Sequence, residues 1–295
     1  MLRADDVVVE YRSKSAGPKP PAEQTGVSTE PERIAAERPA LAGRGFSLAA
    51  PGLHGISLAI PGGAVFGILG PNGSGKTTLL RVLAGILQPA AGRVSLDGVD
   101  LRRIPRRAIA RRMAVVPQET HLAFDYSVLE IALMGRYPHL GNFGLEGPGD
   151  VRVARDALAA TGTAHLEARS FSTLSGGEKQ RVVIASALAQ AAGIMLLDEP
   201  TSSLDLGYQM DIGALVRDLN RTRGVTMVIA THDLNFAAGV CDELALLCDG
   251  QVMASGPAES VLTREAIAAL YRVEADVARH PATGRLMVMP IRKAS

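Results

Sequence analysis

The stretch AVFGILGPNGSGKTTLLRVLAGIL, Ala64 to Leu87, decides the fold. It opens with an apolar run of strand length, closes with a run of helical pattern, and holds GPNGSGKT, Gly70 to Thr77, between them. Gly70, Gly75, Lys76 and Thr77 occupy the fixed slots of a phosphate loop, and strand, loop, helix is the context that loop requires. Phosphate oxygens must approach close enough to accept backbone N–H bonds, which favours glycine, and the helix that follows adds its positive end. Lys76 is placed to reach the β- and γ-phosphates, and the Thr77 hydroxyl is a hard oxygen of the kind Mg²⁺ accepts. Pro71, Asn72, Gly73, Ser74 and Thr78 complete the expected nucleotide cradle. A glycine-rich turn that merely starts a helix would leave the lysine and the hydroxyl unexplained.

Downstream, Ile194 to Leu197 form a continuous apolar run, as in a parallel strand buried on both faces, and it ends in Asp198 and Glu199. The carboxyl end of such a strand is where parallel sheets hold ligands. Asp198 is expected in the shell of Mg²⁺ and Glu199 beside the water that attacks the γ-phosphate, because phosphoryl hydrolysis depends mostly on positioning and charge. Between these two strings lies LSGGEKQ, Leu174 to Gln180, which taken alone is an ordinary helix start.

Order and spacing bring a family into view. The three strings, with Gln118 closing MAVVPQ, SSLD from Ser202 to Asp205, and THD from Thr231 to Asp233, resemble the ATP-binding cassette ATPases over about Ile56 to Val261. The resemblance implies an α/β phosphate-loop ATPase core with an inserted helical subdomain and an antiparallel β edge. It also implies that Ser175, Gly176 and Gly177 touch the γ-phosphate held by the opposite copy, so the working unit is a head-to-tail dimer bridged by ATP. His232 matches the family's switch histidine. Gln118 matches the glutamine that links Mg²⁺ and water to the helical subdomain, and Asp205 the loop acid that communicates across the dimer. The adenine-stacking aromatic has two candidates, Tyr11 after VVVE and Phe46 in GRGFSL.

A finer resemblance lies in FDYSVLEIALMGRYPHLGNFG, Phe124 to Gly144, and in the tail HPATGRLMVMP. Both are similar to the ATPases of importers for iron–siderophore, haem and cobalamin. That implies two permease subunits as partners, an extracytoplasmic substrate-binding protein acting indirectly, and a peripheral position on the cytoplasmic face of a bacterial plasma membrane. In the first string Val128, Leu129, Ala132 and Leu133 mark a helical face, and Arg136, Tyr137 and His139 offer donors and a ring to a partner. A soluble non-transport cassette ATPase is the alternative, but such proteins usually fuse two cassettes or carry a long coiled coil. A regulatory cassette that only binds nucleotide is disfavoured by the intact Glu199, His232 and LSGGE.

Composition agrees with one large α/β unit: 295 residues, 47% hydrophobic and 21% charged. A net charge of +1 argues against a nucleic-acid surface, and two cysteines, Cys241 and Cys248, against a disulfide scaffold. MLRADDVVVEYR lacks the basic-then-apolar order of a signal peptide, and the apolar run from Val182 to Leu197 is interrupted by Gln190 and Gly193, so no membrane span is expected. The expected organisation is a first strand over 1–11, a Pro- and charge-rich insertion over 12–40, and an ATPase domain over 41–265. Within that domain the helical subdomain is expected over about 117–174, and 266–295 form a tail. Arg102, Arg103, Arg106, Arg107, Arg111 and Arg112 crowd one short stretch, where like charges at helical spacing repel by about 0.2–0.5 kcal/mol per pair, so acidic neighbours are expected.

Overall fold

The computed structural model describes residues 1–10, 52–120, 124–141 and 144–293, so Tyr11, Phe46 and the 12–40 insertion lie outside the described residues. Strand β1 (Leu2–Val9) runs antiparallel to β2 (Leu53–Ile60), with Leu2 opposite Ile60. The chain then enters β3 (Val65–Leu69), the phosphate loop and α1 (Lys76–Leu83). It returns through β4 (Ala91–Leu96) and β5 (Val99–Asp100), completing an antiparallel sheet in the order β2-β1-β4-β5. Helix α1 stops at Leu83, short of the Leu87 that the apolar run suggested, because the Ile86 and Leu87 amides both fold back onto the Arg81 carbonyl.

Beyond α2 (Arg106–Ala110) and β6 (Met113–Val116) come three helices that pack on one another, α3 (Val128–Met134), α4 (Pro148–Ala160) and α5 (Gly176–Ala189). Strand and helix then alternate through β7 (Ile194–Asp198), α6 (Leu206–Arg223), β8 (Thr226–Thr231), α7 (Leu234–Val240) and β9 (Glu243–Cys248). The chain closes with β10 (Gln251–Pro257), α8 (Ala258–Val261), α9 (Arg264–Tyr271), and a hairpin of β11 (Val273–Arg279) and β12 (Leu286–Lys293).

The second sheet has the order β10-β9-β3-β8-β7-β6, parallel throughout except at β10. Its central strands bury both faces, and alternate residues feed two cores. Phe66, Ile68, Leu196, Val228 and Ala230 face the core that holds α1 and the antiparallel sheet, with Leu79, Leu83, Leu2 and Ile56. Val65, Leu69, Leu197, Met227 and Ile229 face the other core, with α3 to α7. Pairing brings Leu69 level with Thr231, Asp198 with Ala230, and Val116 with Leu197. The carboxyl ends of β3, β8, β7 and β6 therefore finish side by side.

The arginine-rich stretch finds the expected acids, Asp100 at 2.7 Å from Arg102 and Asp97 paired with Arg112. It finds a carbonyl as well: the Nε atoms of Arg107 and Arg111 donate to Pro138 O at 2.9 and 2.8 Å, tying α2 to the Tyr137–His139 turn after α3. Of the two cysteines, Cys241 is buried and Cys248 half-buried. Burial pushes the Cys241 thiol up to about 12, so at neutral pH it is a packed, protonated group. Among the described residues no helix is long and apolar enough to cross a membrane.

Candidate functional site

The level strand ends deliver four loops to one cleft of about 320 Å³, lined by Asn72, Gly73, Gly75, Lys76, Thr77, Thr78, Arg81, Gln118, Glu199 and His232. Two glycines set the phosphate loop. A Cβ on Gly70 would sit 2.2 Å from the Leu247 carbonyl of β9, and Gly75 has φ 104°, a left-handed backbone open to glycine at no steric cost. Helix α1 begins directly after Gly75, so the positive end of its dipole faces the loop.

The Lys76 ammonium is buried and donates to Gly70 O at 2.9 Å and Pro71 O at 3.1 Å. It also lies 3.3 Å from Glu199 Oε1. The other carboxylate oxygen of Glu199 is 2.8 Å from His232 Nδ1. A carboxylate only accepts, so Nδ1 carries the hydrogen of that bond. Glu199 has φ 48°, an uncommon conformation for a side chain of this kind that costs on the order of 1–3 kcal/mol. It is held there by its amide bond to Ala230 O at 2.9 Å and by the Ser202 hydroxyl, which donates to Glu199 O at 2.9 Å. Strain of this kind clusters where a side chain must be aimed.

Thr77 Oγ1 donates to Asp198 Oδ1 at 3.1 Å, bringing together the hydroxyl and the carboxylate expected to hold Mg²⁺. Both are hard oxygen donors, as such an ion needs, and Mg²⁺ commonly takes one or two protein ligands beside phosphate and water. The donor set fits the ion, and among the described residues no group of three or more His, Cys, Asp and Glu side chains offers a rival metal site. Ser74 Oγ is buried without a hydrogen-bond partner, a hydroxyl in the loop that suits a phosphate oxygen as acceptor.

Burial pushes the Asp198 carboxyl above its ordinary value of 3.8, the nearby Glu199 charge adds to that, and the Thr77 bond opposes it. A carboxyl whose folded-state value is raised favours folding below its ordinary value, and that contribution is lost as pH climbs through the raised one. Asp198→Asn is therefore expected to raise the thermal midpoint of the nucleotide-free chain at about pH 7, each ~1 kcal/mol appearing as about 2–4 °C. The gain should vanish below about pH 3, where the aspartate is largely neutral in both states. Thermal unfolding followed at both pH values checks this, and a lowered midpoint at neutral pH would contradict it.

Ser175, Gly176 and Gly177 are not among the cleft-lining residues of their own chain. Ser175 caps α5 in a reciprocal box: Glu178 N donates to Ser175 Oγ at 3.3 Å, and Ser175 N donates to Glu178 Oε2 at 2.8 Å. Ser175 and Gly176 remain exposed, presenting the start of α5 outward. Asp205 caps α6 by accepting from Tyr208 N at 3.0 Å.

Two readings of the Phe124–His139 stretch need correcting. Val128 and Ala132 are buried, and Leu129 and Leu133 pack against the core, so the apolar face of α3 serves the fold. Arg136 is spent inside as well, donating to Ala189 O at 2.7 Å and to Asp150 Oδ1 at 3.0 Å, and His139 Nε2 lies 2.8 Å from Gln190 O. Of Arg136, Tyr137 and His139, it is Tyr137 that stands out, 78% exposed. Sequence reasoning passed over Arg81 in the cleft wall and Tyr271, whose hydroxyl donates to His232 O at 3.3 Å. No spacing rule marks either one.

Comparison with known proteins gives the family. Residues 53–202 match the family described as ABC transporter. The hemin import ATP-binding protein HmuV of Gloeobacter violaceus is 45% identical over 250 residues, covering 82% of this chain and 90% of that protein. The cobalamin import ATP-binding protein BtuD of Halobacterium salinarum is 43% identical over 239 residues, 81% of this chain; the chain spans 60% of the length of that relative. Among solved structures, a chain of an inward-facing structure assigned to the metal-chelate type of ABC transporter superposes with a TM-score of 0.76. It is 27% identical, with 99% of this chain and 96% of that one covered. With that family model over half of the chain and relatives at this identity, the chain belongs to the ABC transporter family.

Proposed function

We propose that the chain hydrolyses MgATP to drive import of a metal chelate, an iron–siderophore complex, haem or cobalamin. In this reading two copies work head to tail beneath two permease subunits, on the cytoplasmic face of a bacterial plasma membrane, with an extracytoplasmic binding protein delivering the cargo. The observation that carries the reading is the gathering of Lys76, Asp198, Glu199, His232 and Gln118 on one cleft from four neighbouring strands. The relatives' names support the chelate class.

Bound Mg²⁺ would neutralise phosphate charge and order the β- and γ-oxygens. Thr77 and Asp198 would hold it, with Gln118 at the cleft mouth. Lys76 would leave the Gly70 and Pro71 carbonyls for phosphate oxygen, a stronger, charge-assisted partner. Glu199, fixed between Lys76 and His232, would orient the attacking water through its carboxylate. Ser175 and Gly176 would meet the γ-phosphate of the second copy. ATP-dependent uptake of a labelled chelate into vesicles bearing the chain and its permease tests the reading; ATP turnover with no chelate moved would favour a non-transport ATPase.

Tyr137 is the exposed ring at the helical lobe and takes no part in phosphate chemistry. Tyr137→Ala is expected to leave ATP turnover and thermal midpoint of the isolated subunit unchanged. Permease affinity should fall by about 10–30-fold, as for loss of an aromatic anchor. Binding to detergent-solubilised permease measures it, and full affinity would remove this turn from the docking surface.

A further inference from the structure

We propose that the C-terminal unit of α9, β11 and β12 is a clamp that positions the His232 loop, acting through Tyr271 and Asn235; the proposal rests on the reading of Glu199 and His232 as the hydrolytic pair. Two contacts bracket the histidine. Tyr271, the last residue of α9, donates its hydroxyl hydrogen to His232 O at 3.3 Å. Three residues past His232, in the first turn of α7, the Asn235 side chain grips β12: Nδ2 donates to Val288 O at 3.1 Å and Oδ1 accepts from Val288 N at 2.8 Å. That amide stands in for a neighbouring strand, bonding donor and acceptor of one residue at once.

The clamp has a core of its own. Ile267, Ala275 and Val288 form a small buried cluster, with Leu234, Tyr271 and Val277 packed against it, and β11 and β12 make a sheet separate from the other two. The unit can therefore hold its shape without sharing a strand with the ATPase sheets. Its grip falls on the histidine's main chain, leaving the ring on Glu199. Burial, and then the Glu199 and Asp233 carboxylates, push the Tyr271 phenol up, so its hydroxyl stays a protonated donor at working pH. A donor fixed on the His232 carbonyl limits how far the loop swings, and so how long Nδ1 stays within hydrogen-bond reach of Glu199.

Tyr271→Phe deletes the hydroxyl and keeps the packed ring; Asn235→Ala deletes both bonds to Val288 from the other side. For each, kcat for ATP is expected to fall about three- to tenfold with KM, nucleotide affinity and thermal midpoint unchanged. In histidine-labelled protein the His232 ring signals, assigned with His232→Ala, should shift while those of the other five histidines stay in place. Unchanged kcat in both variants overturns the proposal. So does a loss of kcat that arrives only with lost nucleotide affinity and a lowered midpoint in both, since that marks a structural role. Should one variant fail to fold, the other decides by the same readouts. A wild-type chain that turns over no ATP sinks the ATPase reading instead; the His232 signals then decide the clamp, moved signals supporting it and unmoved ones overturning it.

Discussion

Glu199→Gln lowers ATP turnover by roughly 10²–10⁴-fold while ATP still binds, the range expected when a positioned general base is removed. The amide keeps the side chain's shape and can still meet His232 Nδ1, now 2.8 Å from Oε2. It loses the charge that lies 3.3 Å from Lys76, so the lysine is freer for phosphate and nucleotide affinity should hold or rise. With hydrolysis stopped, ATP-bridged pairs should accumulate, because the exposed Ser175 and Gly176 remain available to a second copy. Turnover and light scattering with MgATP measure both halves. Turnover near wild type would remove Glu199 from the chemistry, and lost turnover with monomers only would contradict the shared site.

Lys76→Ala acts at a different step. It removes the cation that satisfies Gly70 O and Pro71 O and stands beside Glu199, in a cleft where both acids are buried. Two carboxylates without that cation repel a triphosphate, so nucleotide affinity should fall by about 10²-fold or more, a loss of roughly 3 kcal/mol. Turnover should fall with it. Titration with a fluorescent ATP analogue checks the binding arm, and wild-type affinity would remove the phosphate-loop role of Lys76.

The contrast between these two variants follows from what was legible in the sequence. The phosphate loop was legible because its strand, turn and helix are contiguous, so local spacing carries the geometry. The strand that presents Asp198 and Glu199 was legible as an apolar run ending in acids. The left-handed backbone of Glu199 was not, since it is imposed by Ala230 and Ser202 rather than by its own side chain. Arg136 and His139 looked like partner-facing groups because charge next to Tyr137 reads as surface; only the fold brings Ala189, Gln190 and Asp150 up to absorb them. The C-terminal stretch read as a tail, although two strand-like runs around His280–Gly284 carry a hairpin signal. Its reach to His232 joins residues 39 apart in the chain, beyond any local pattern.

Helix α5 joins two ends that the sequence treats as unrelated. Its first residues follow the Ser175 cap, and its last carbonyls are seized by Arg136 and His139 on either side of Tyr137. Fourteen helical residues make a stiff rod of about 21 Å. A tilt imposed at the Tyr137 end arrives at the Ser175 end as a sweep, with no need for residues in between to change partners. The rod also fixes an angular phase, since one added residue would rotate one end against the other by about 100°. Its length is thus geared: packed along nearly its whole course, it cannot change by a single residue in count without turning one end against the other.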